Sequence, residues 1–406
     1  MRWIIPIFIL LLIEVYAFQA FRTLFKFKWS LVVYVLVSVF LLAFIIYSFN
    51  TPNPNGSFTG VRAYAIGILL SLMALKLSII IILFGEDLFR LFSALFQKLF
   101  TSNSFEIPSR RKFISTLAIG IGSIPFLGLL YGMYKGKYNY KVLTYELEFD
   151  DLPPAFDGYQ ITQISDLHCG SFDNKEKVNY GIDLINQQQS DAILFTGDLV
   201  NNTAAEMDHW KSSFAKLKAK DGVFSVLGNH DYGDYYNWET DREKVNNLNT
   251  LKQTQQEMGW KLLLDEAVEI KRANEKIVIV GVENWGAGGF KQKGDLDKAT
   301  ANLSQTDFKV LMSHDPSHWD AKVKNHPKKF QLTLSGHTHG MQFGIEIPGW
   351  FKFSPVQFRY PQWAGIYKEA GQFLNVNRGF GYLAYPGRLG IWPEITVIKL
   401  KRKVAA

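Results

Sequence analysis

The residues best suited to chemistry in this chain are histidines, aspartates and one asparagine at the ends of five short apolar runs. Tyr159 to Ser165 (YQITQIS) stops at Asp166, with His168 two residues on. Ala192 to Thr196 (AILFT) is followed by Gly197 and Asp198, and Val223 to Leu227 (VFSVL) by Gly228, Asn229 and His230. Lys309 to Ser313 (KVLMS) stops at His314, and Gln331 to Ser335 (QLTLS) leads into Gly336, His337, Thr338 and His339. One histidine at a strand end is ordinarily a hydrogen-bonded structural residue, and GD or GH pairs arise by chance. Five such endings in order, using five of the eight histidines in the chain, point to one site.

Hard carboxylate oxygens with borderline imidazole nitrogens suit Mn, Fe, Zn or similar divalent ions, and the lack of thiolates argues against a structural zinc site. Two ions about 3.5–4 Å apart need a bridging carboxylate. Asp198 stands in the middle of the set. Such a pair clamps phosphoryl oxygens, brings a bound water to hydroxide near neutral pH and stabilises the charge of an in-line displacement. His230, beside Asn229, is placed to protonate the leaving alkoxide as general acid. The expected chemistry is hydrolysis of a phosphate ester.

The elements that must position these side chains follow from the pattern around them. From about Lys141 onward, short apolar runs alternate with polar, turn-rich and helix-like segments, as in an α/β domain. Ligand sites in open α/β sheets form at the carboxyl ends of strands, so the five endings should share one crevice. Side chains two apart in extended chain face the same way, which would make Asp166 with His168, and His337 with His339, two pairs. Glycines just before Asp198, Asn229 and His337 let the backbone come close to an ion.

The first third of the chain is different. Across 406 residues the mean hydropathy is -0.01 and the net charge +7, but the apolar residues crowd toward the N-terminus. Four stretches, Ile4–Phe21, Ser30–Phe49, Ala63–Phe84 and Phe113–Met133, are near the ~20 residues a membrane-crossing helix needs. Residues 1–140 thus read as a transmembrane helical region and 141–406 as the catalytic domain. Glu14 and Lys76 interrupt the first and third spans, and the economical reading is that they face each other or a neighbouring helix inside the bundle. Arg22, Lys26 and Lys28 in the first loop, and Arg90, Lys98, Arg110, Arg111 and Lys112 in the third, place those loops in the cytoplasm and the domain outside. Ser109-Arg110-Arg111-Lys112-Phe113-Ile114 reads either as an internal twin-arginine export signal or as a basic anchor before a span. Glu86–Phe100 reads as an interfacial helix or as an extension of the third span. Basic residues beside apolar spans mark topology, so nucleic acid is not expected as a partner. The partners expected are the bilayer and a phosphoester close to it, lipid-linked esters included.

Taken together, D-x-H (Asp166, His168), GD (Asp198), GNHD (Gly228 to Asp231), SH (His314) and GHTHG (Gly336 to Gly340) resemble the calcineurin-like metallophosphoesterase superfamily, in particular its bacterial transmembrane and twin-arginine-exported phosphodiesterases. The likeness runs from about Leu143 to Leu400 and includes a final turn and strand, Asn377-Arg378-Gly379 through Pro393-Glu394-Ile395. It implies a sandwich of two mixed β-sheets flanked by helices, in a protein of the bacterial inner membrane. It also implies Asp166, His168 and His339 on one divalent ion, Asn229, His314 and His337 on a second, and Asp198 bridging both. Many members carry GDxxD, whose later Asp orients the catalytic histidine; here that position is Asn201, with Asp231 a helix-start cap or a substitute. A pyrophosphate-bond hydrolase of the UDP-2,3-diacylglucosamine type is the alternative activity, and a non-catalytic scaffold the second, against which every expected ligand is present.

Between Phe343 and Trp363, Trp350, Phe351, Phe353, Phe358, Tyr360 and Trp363 are interleaved with Lys352 and Arg359. This loop reads either as a lid that dips into the bilayer or as a self-packed edge. Cys169, the only cysteine, reads as a small buried residue rather than a ligand.

Overall fold

The computed structural model describes residues 4–27, 29–51, 59–100, 111–347 and 349–403. Leaving aside the loop at 53–60, the chain divides into two compact units, one up to Met133 and the other from Tyr134 onward.

The first unit is all helix: α1 (Ile4–Leu24), α2 (Ser30–Asn50), α3 (Gly60–Phe100) and α4 (Arg111–Tyr134). Its apolar side chains point outward, as they do where the solvent is hydrocarbon, and its small and polar ones point in. Among the described residues α2, α3 and α4 are each long and apolar enough to cross a membrane. The first expected span is present as the 21-residue helix α1. Lys76 and Glu14 form an ion pair, and the Tyr34 hydroxyl donates to the same carboxylate at 2.9 Å, so the two charges interrupting the spans do face each other. Glu86–Phe100 is the continuation of α3 rather than a separate helix. Ser109 and Arg110 of the paired-arginine motif, Lys28 and most of the second loop lie outside the described residues.

In the second unit the short apolar runs become strands because each alternates between two buried faces. One six-stranded sheet has the order β1 (Lys141–Phe149), β14 (Glu394–Arg402), β2 (Gln160–Ile164), β3 (Ala192–Phe195), β4 (Val223–Ser225), β5 (Trp260–Leu262). The other has the order β12 (Gly365–Glu369), β13 (Gln372–Val376), β9 (Leu332–Ser335), β8 (Lys309–Met312), β7 (Glu275–Gly281), β6 (Glu266–Arg272). A hairpin of β10 (Ile345–Ile347) and β11 (Phe351–Phe353) stands apart. β2, β3 and β4 run parallel, as do β7, β8 and β9, while antiparallel neighbours at β14–β2, β12–β13 and β6–β7 make both sheets mixed.

Ala192 and Leu194 on β3 face Val310 and Met312 on β8 across the core between the sheets. Ile193 and Phe195, one residue out of phase, turn to the outer face, under α5 (Lys175–Gln187), α6 (Lys211–Phe214) and α7 (Asp241–Glu257). Val278, Val280 and Leu311 likewise pack under α8 (Leu296–Ala299) and α9 (Ser317–Ala321). The architecture is the two-sheet mixed sandwich flanked by helices that the family resemblance implies. The Asn174 side chain accepts from Lys177 N and Thr240 from Glu243 N, starting α5 and α7 where their apolar stripes begin. Leu194 has no exposed surface, and truncating it to Ala would cost about 2–5 kcal/mol.

Candidate metal centre

All five strand endings open onto one end of the sandwich. Asp166 and His168 follow β2, Asp198 follows β3, Asn229 and His230 follow β4, His314 follows β8, and His337 and His339 follow β9. The backbone there is not extended. Asp166 (φ 54°), His168 (48°), Asp198 (61°), His337 (69°) and His339 (50°) all sit in the left-handed region. For residues with a Cβ this costs about 1–3 kcal/mol each and persists where a site over-determines it. The turns also revise one expectation. Asp166 and His168 do act on one end of the crevice, but His337 and His339 diverge to opposite ends, His337 to Asn229 and His339 to Asp166. Two glycines allow the close approach: a Cβ on Gly228 would collide with the Asp198 carboxylate, and one on Gly336 with Ser165 Oγ and the Asp166 carboxylate.

At one end, His339 Nε2 lies 3.2 Å from Asp166 Oδ1 and 3.0 Å from His168 Nε2. In the middle, Asp198 Oδ2 lies 3.5 Å from His168 Nε2 and 3.2 Å from His314 Nε2. At the other end, His337 Nδ1 is 2.8 Å from Asn229 Oδ1. Three triads therefore each gather their ligand atoms within 4.8 Å: Asp166–His168–His339, His168–Asp198–His230 and Asp198–His314–His337.

This donor set fits cations. His314 Nδ1 donates to Thr196 O at 2.7 Å, which turns Nε2 inward, where it is fully buried and faces Asp198 Oδ2 at 3.2 Å. The Asn229 amide nitrogen bonds the Tyr235 hydroxyl at 3.0 Å, so its oxygen is the atom aimed at His337. His337 Nε2 meets the Tyr360 hydroxyl at 2.8 Å, and that hydroxyl donates to Asp315 Oδ2 at 3.3 Å. Nδ1 is thereby left with a lone pair facing the Asn229 oxygen, an arrangement a cation between them relieves. Burial opposes ionisation of Asp166 and Asp198, yet nearby histidines hold both carboxyls below the usual carboxylate range. Burial also works against a charged His314, but Asp198 holds it up at about 10. His314, held charged by Asp198, thus stands in for positive charge that the carboxylate demands.

Residues 1–137 match the family profile "Probable Calcineurin-like phosphoesterase, transmembrane domain", and residues 159–341 match "Calcineurin-like phosphoesterase". A metallophosphoesterase of Helicobacter pylori (strain J99) is 30% identical over 302 residues, which is 73% of this chain and 74% of that relative. The chain belongs to the calcineurin-like metallophosphoesterases. It is similar as well to the metallophosphoesterase YkuE of Bacillus subtilis (29% identity over 72% of this chain and 98% of the relative) and to the phosphodiesterase YaeI of Escherichia coli (27% over 72% and 99%). It is a membrane protein and a metal-dependent hydrolase of phosphoric esters.

Around the crevice of this metallophosphoesterase, several partners escape a sequence reading. His230 Nδ1 donates to the backbone oxygen of Asn201 at 2.8 Å, so position 201 orients the imidazole without its side chain. Asp231 is neither a helix cap nor a partner of that ring. Its carboxylate accepts from the backbone N–H groups of Gly228, Asp198, Leu199 and Val200, tying the loops after β3 and β4 together. Arg388, fully buried, donates to Gly381 O and Arg378 O and lies 3.3 Å from His339 Nδ1. The final turn grips the first ligand loop, Phe380 N bonding Ser165 O and Gly381 N bonding Asp166 O. Tyr360, Asp315, Tyr235 and Arg388 were not read as site residues. Asp315 carried a faint signal as the third polar residue after β8, whereas Arg388 carried none. Cys169 is buried in the core against the first sheet, where desolvation pushes its thiol up, in keeping with a packing role.

Proposed function

We propose that the crevice binds two divalent ions and hydrolyses phosphodiesters, with Asp166, His168 and His339 holding one ion, Asn229, His314 and His337 the other, and Asp198 bridging. The observation that carries this reading is the convergence of the seven donors, from five strand ends, around Asp198. When bound, ions such as Mn, Fe or Zn activate water near neutral pH and neutralise charge on the phosphoryl oxygens. The protein's part is to fix the donors and to move a proton. His230, with Nδ1–H committed to the Asn201 carbonyl, carries a second proton on Nε2 only as imidazolium, and in that form it would give this proton to the leaving oxygen as general acid and be left neutral. Its backbone N–H donates to Asp198 Oδ1 at 2.8 Å, fixing it against the bridging carboxylate. Residues 1–140 serve as the membrane anchor and 141–406 as the catalytic domain, on the extracytoplasmic side of the inner membrane by the distribution of basic loops.

Elemental analysis of the purified full chain should find two ions per molecule, with turnover of a chromogenic diester exceeding that of a monoester. A preparation that binds no ion and cleaves neither ester ends the proposal. A reporter fused after Ala406 tests the orientation, and a cytoplasmic signal reverses it.

A further inference from the structure

Just past the GHTHG ligands the chain builds a hairpin whose faces are reversed for a protein in water. Ile345 pairs with Phe353, Glu346 with Lys352 and Ile347 with Phe351. Opposed residues share a face and successive ones alternate, so Ile345, Ile347, Phe351 and Phe353 form an apolar face and Glu346 and Lys352 a charged one. The charged face is the one fastened to the domain. Glu346 pairs with Arg378, itself paired with buried Glu394, and Lys352 donates to Ala364 O at 2.6 Å and the Tyr367 hydroxyl at 3.1 Å. The apolar face is left outward, with Ile345 58% exposed, Trp350 at the tip 81% and Phe358 just beyond 83%. Among the described residues after Tyr134, seven exposed large apolar side chains lie between Met341 and Phe358, and the remaining three, Tyr180, Tyr235 and Val245, lie outside that stretch. A patch this concentrated marks an interaction surface.

We propose that this hairpin docks into the interfacial layer of a lipid bilayer and that the ester hydrolysed is amphiphilic, its phosphate presented to the crevice from that layer. The second half deepens the function proposed above and rests on it. A bilayer is the occupant the chain itself supplies. The membrane region ends with α4 at Tyr134 and β1 begins at Lys141, and the seven steps across residues 135–140 reach no more than about 25 Å. A domain on so short a tether meets lipid at high effective concentration. Trp350 at the tip is the residue type that settles at the boundary between headgroups and acyl chains. Surface and site are also one loop: Phe358 is exposed, while Tyr360, two residues on, is buried with its hydroxyl against His337.

The native cysteine is buried, so single cysteines can be labelled selectively. The full chain carrying Trp350→Cys with an environment-sensitive fluorophore would be reconstituted in phosphatidylcholine and phosphatidylglycerol vesicles containing doxyl-labelled lipid, beside Asp183→Cys on the exposed face of α5. Stronger lipid quenching at position 350 than at 183 is expected. Equal quenching overturns docking, as does a blue shift that grows with protein density without lipid quenching, the signature of a second copy. The Trp350→Ser/Phe351→Ser variant should lose about tenfold on a diester bearing acyl chains in the same vesicles and stay within about twofold on a soluble diester. Parallel loss on both substrates, or on neither, overturns the substrate class. If the unaltered chain cleaves neither ester, the proposed hydrolase fails, and the quenching arm still decides docking.

Discussion

The two ends of the crevice are built differently. Asp166, His168 and His339 lie deep, under the final turn of the chain, and include a carboxylate of their own. Asn229, His314 and His337 include no carboxylate of their own, and their outer partners are the hydroxyls of Tyr235 and Tyr360 and the Thr196 carbonyl, with the Asp315 carboxylate behind Tyr360, 3.5 Å from His337 Nε2. A cation at the first end meets one full negative charge directly, and Arg388, on the far side of the His339 ring, offsets that only from a greater distance. A cation at the second end meets an amide dipole and imidazoles. The proposed ions should therefore be unequal, the first a resident and the second exchangeable.

The largest expected effect removes what the ends share. Asp198→Asn should lower kcat by about 10³ or more and bring bound metal below one ion per chain, measured on one preparation by turnover and elemental analysis. Retention of both ions would mean the ends are independent sites. His230→Ala should cost about 10²–10³ in kcat at unchanged metal content, and less on a nitrophenyl ester, whose leaving group needs little help from an acid. A loss of metal in that variant would make His230 a ligand instead. Tyr360→Phe, which breaks the chain from His337 to Asp315, should weaken metal affinity about 10–100-fold at the second end alone. Graded chelation of the unaltered enzyme should remove the ions in two steps, and in this variant should widen the gap between them. A single step in both would erase the asymmetry.

The donors were legible in the sequence because each follows an apolar run whose length and alternation make it a strand, and a strand end is a fixed place. β2, β3, β4, β8 and β9 begin and end within two residues of the runs that announce them. What could not be read is what long loops bring in. Tyr360 lies twenty-three residues after His337 and Arg388 forty-nine after His339, and nothing local says that either returns to the crevice. Periodicity showed that the aromatic loop has two faces but could not say which faces out. That is decided by Arg378 and Tyr367, which capture Glu346 and Lys352, so the loop is an exposed surface at its tip and a packed edge at Tyr360 and Trp363. The left-handed turns at the ligands are likewise beyond a reading that assumes extended chain.

The smallest expected effect concerns position 201, where this chain has an amide in place of a carboxylate. His230 is held by the Asn201 backbone oxygen, and that peptide is itself pinned, because the Glu206 carboxylate accepts from the N–H groups of Asn201, Asn202 and Thr203. The Asn201 side chain turns instead to Ser171, at 3.0 Å. Glu206→Ala, which frees the loop, should reduce kcat about tenfold. Asn201→Ala should change it by less than about threefold, while costing about 1 kcal/mol of stability for the lost hydrogen bond. The two variants separate holding through the backbone from holding through the side chain. A drop in Asn201→Ala as deep as in His230→Ala would show that the amide, not the carbonyl, positions the acid.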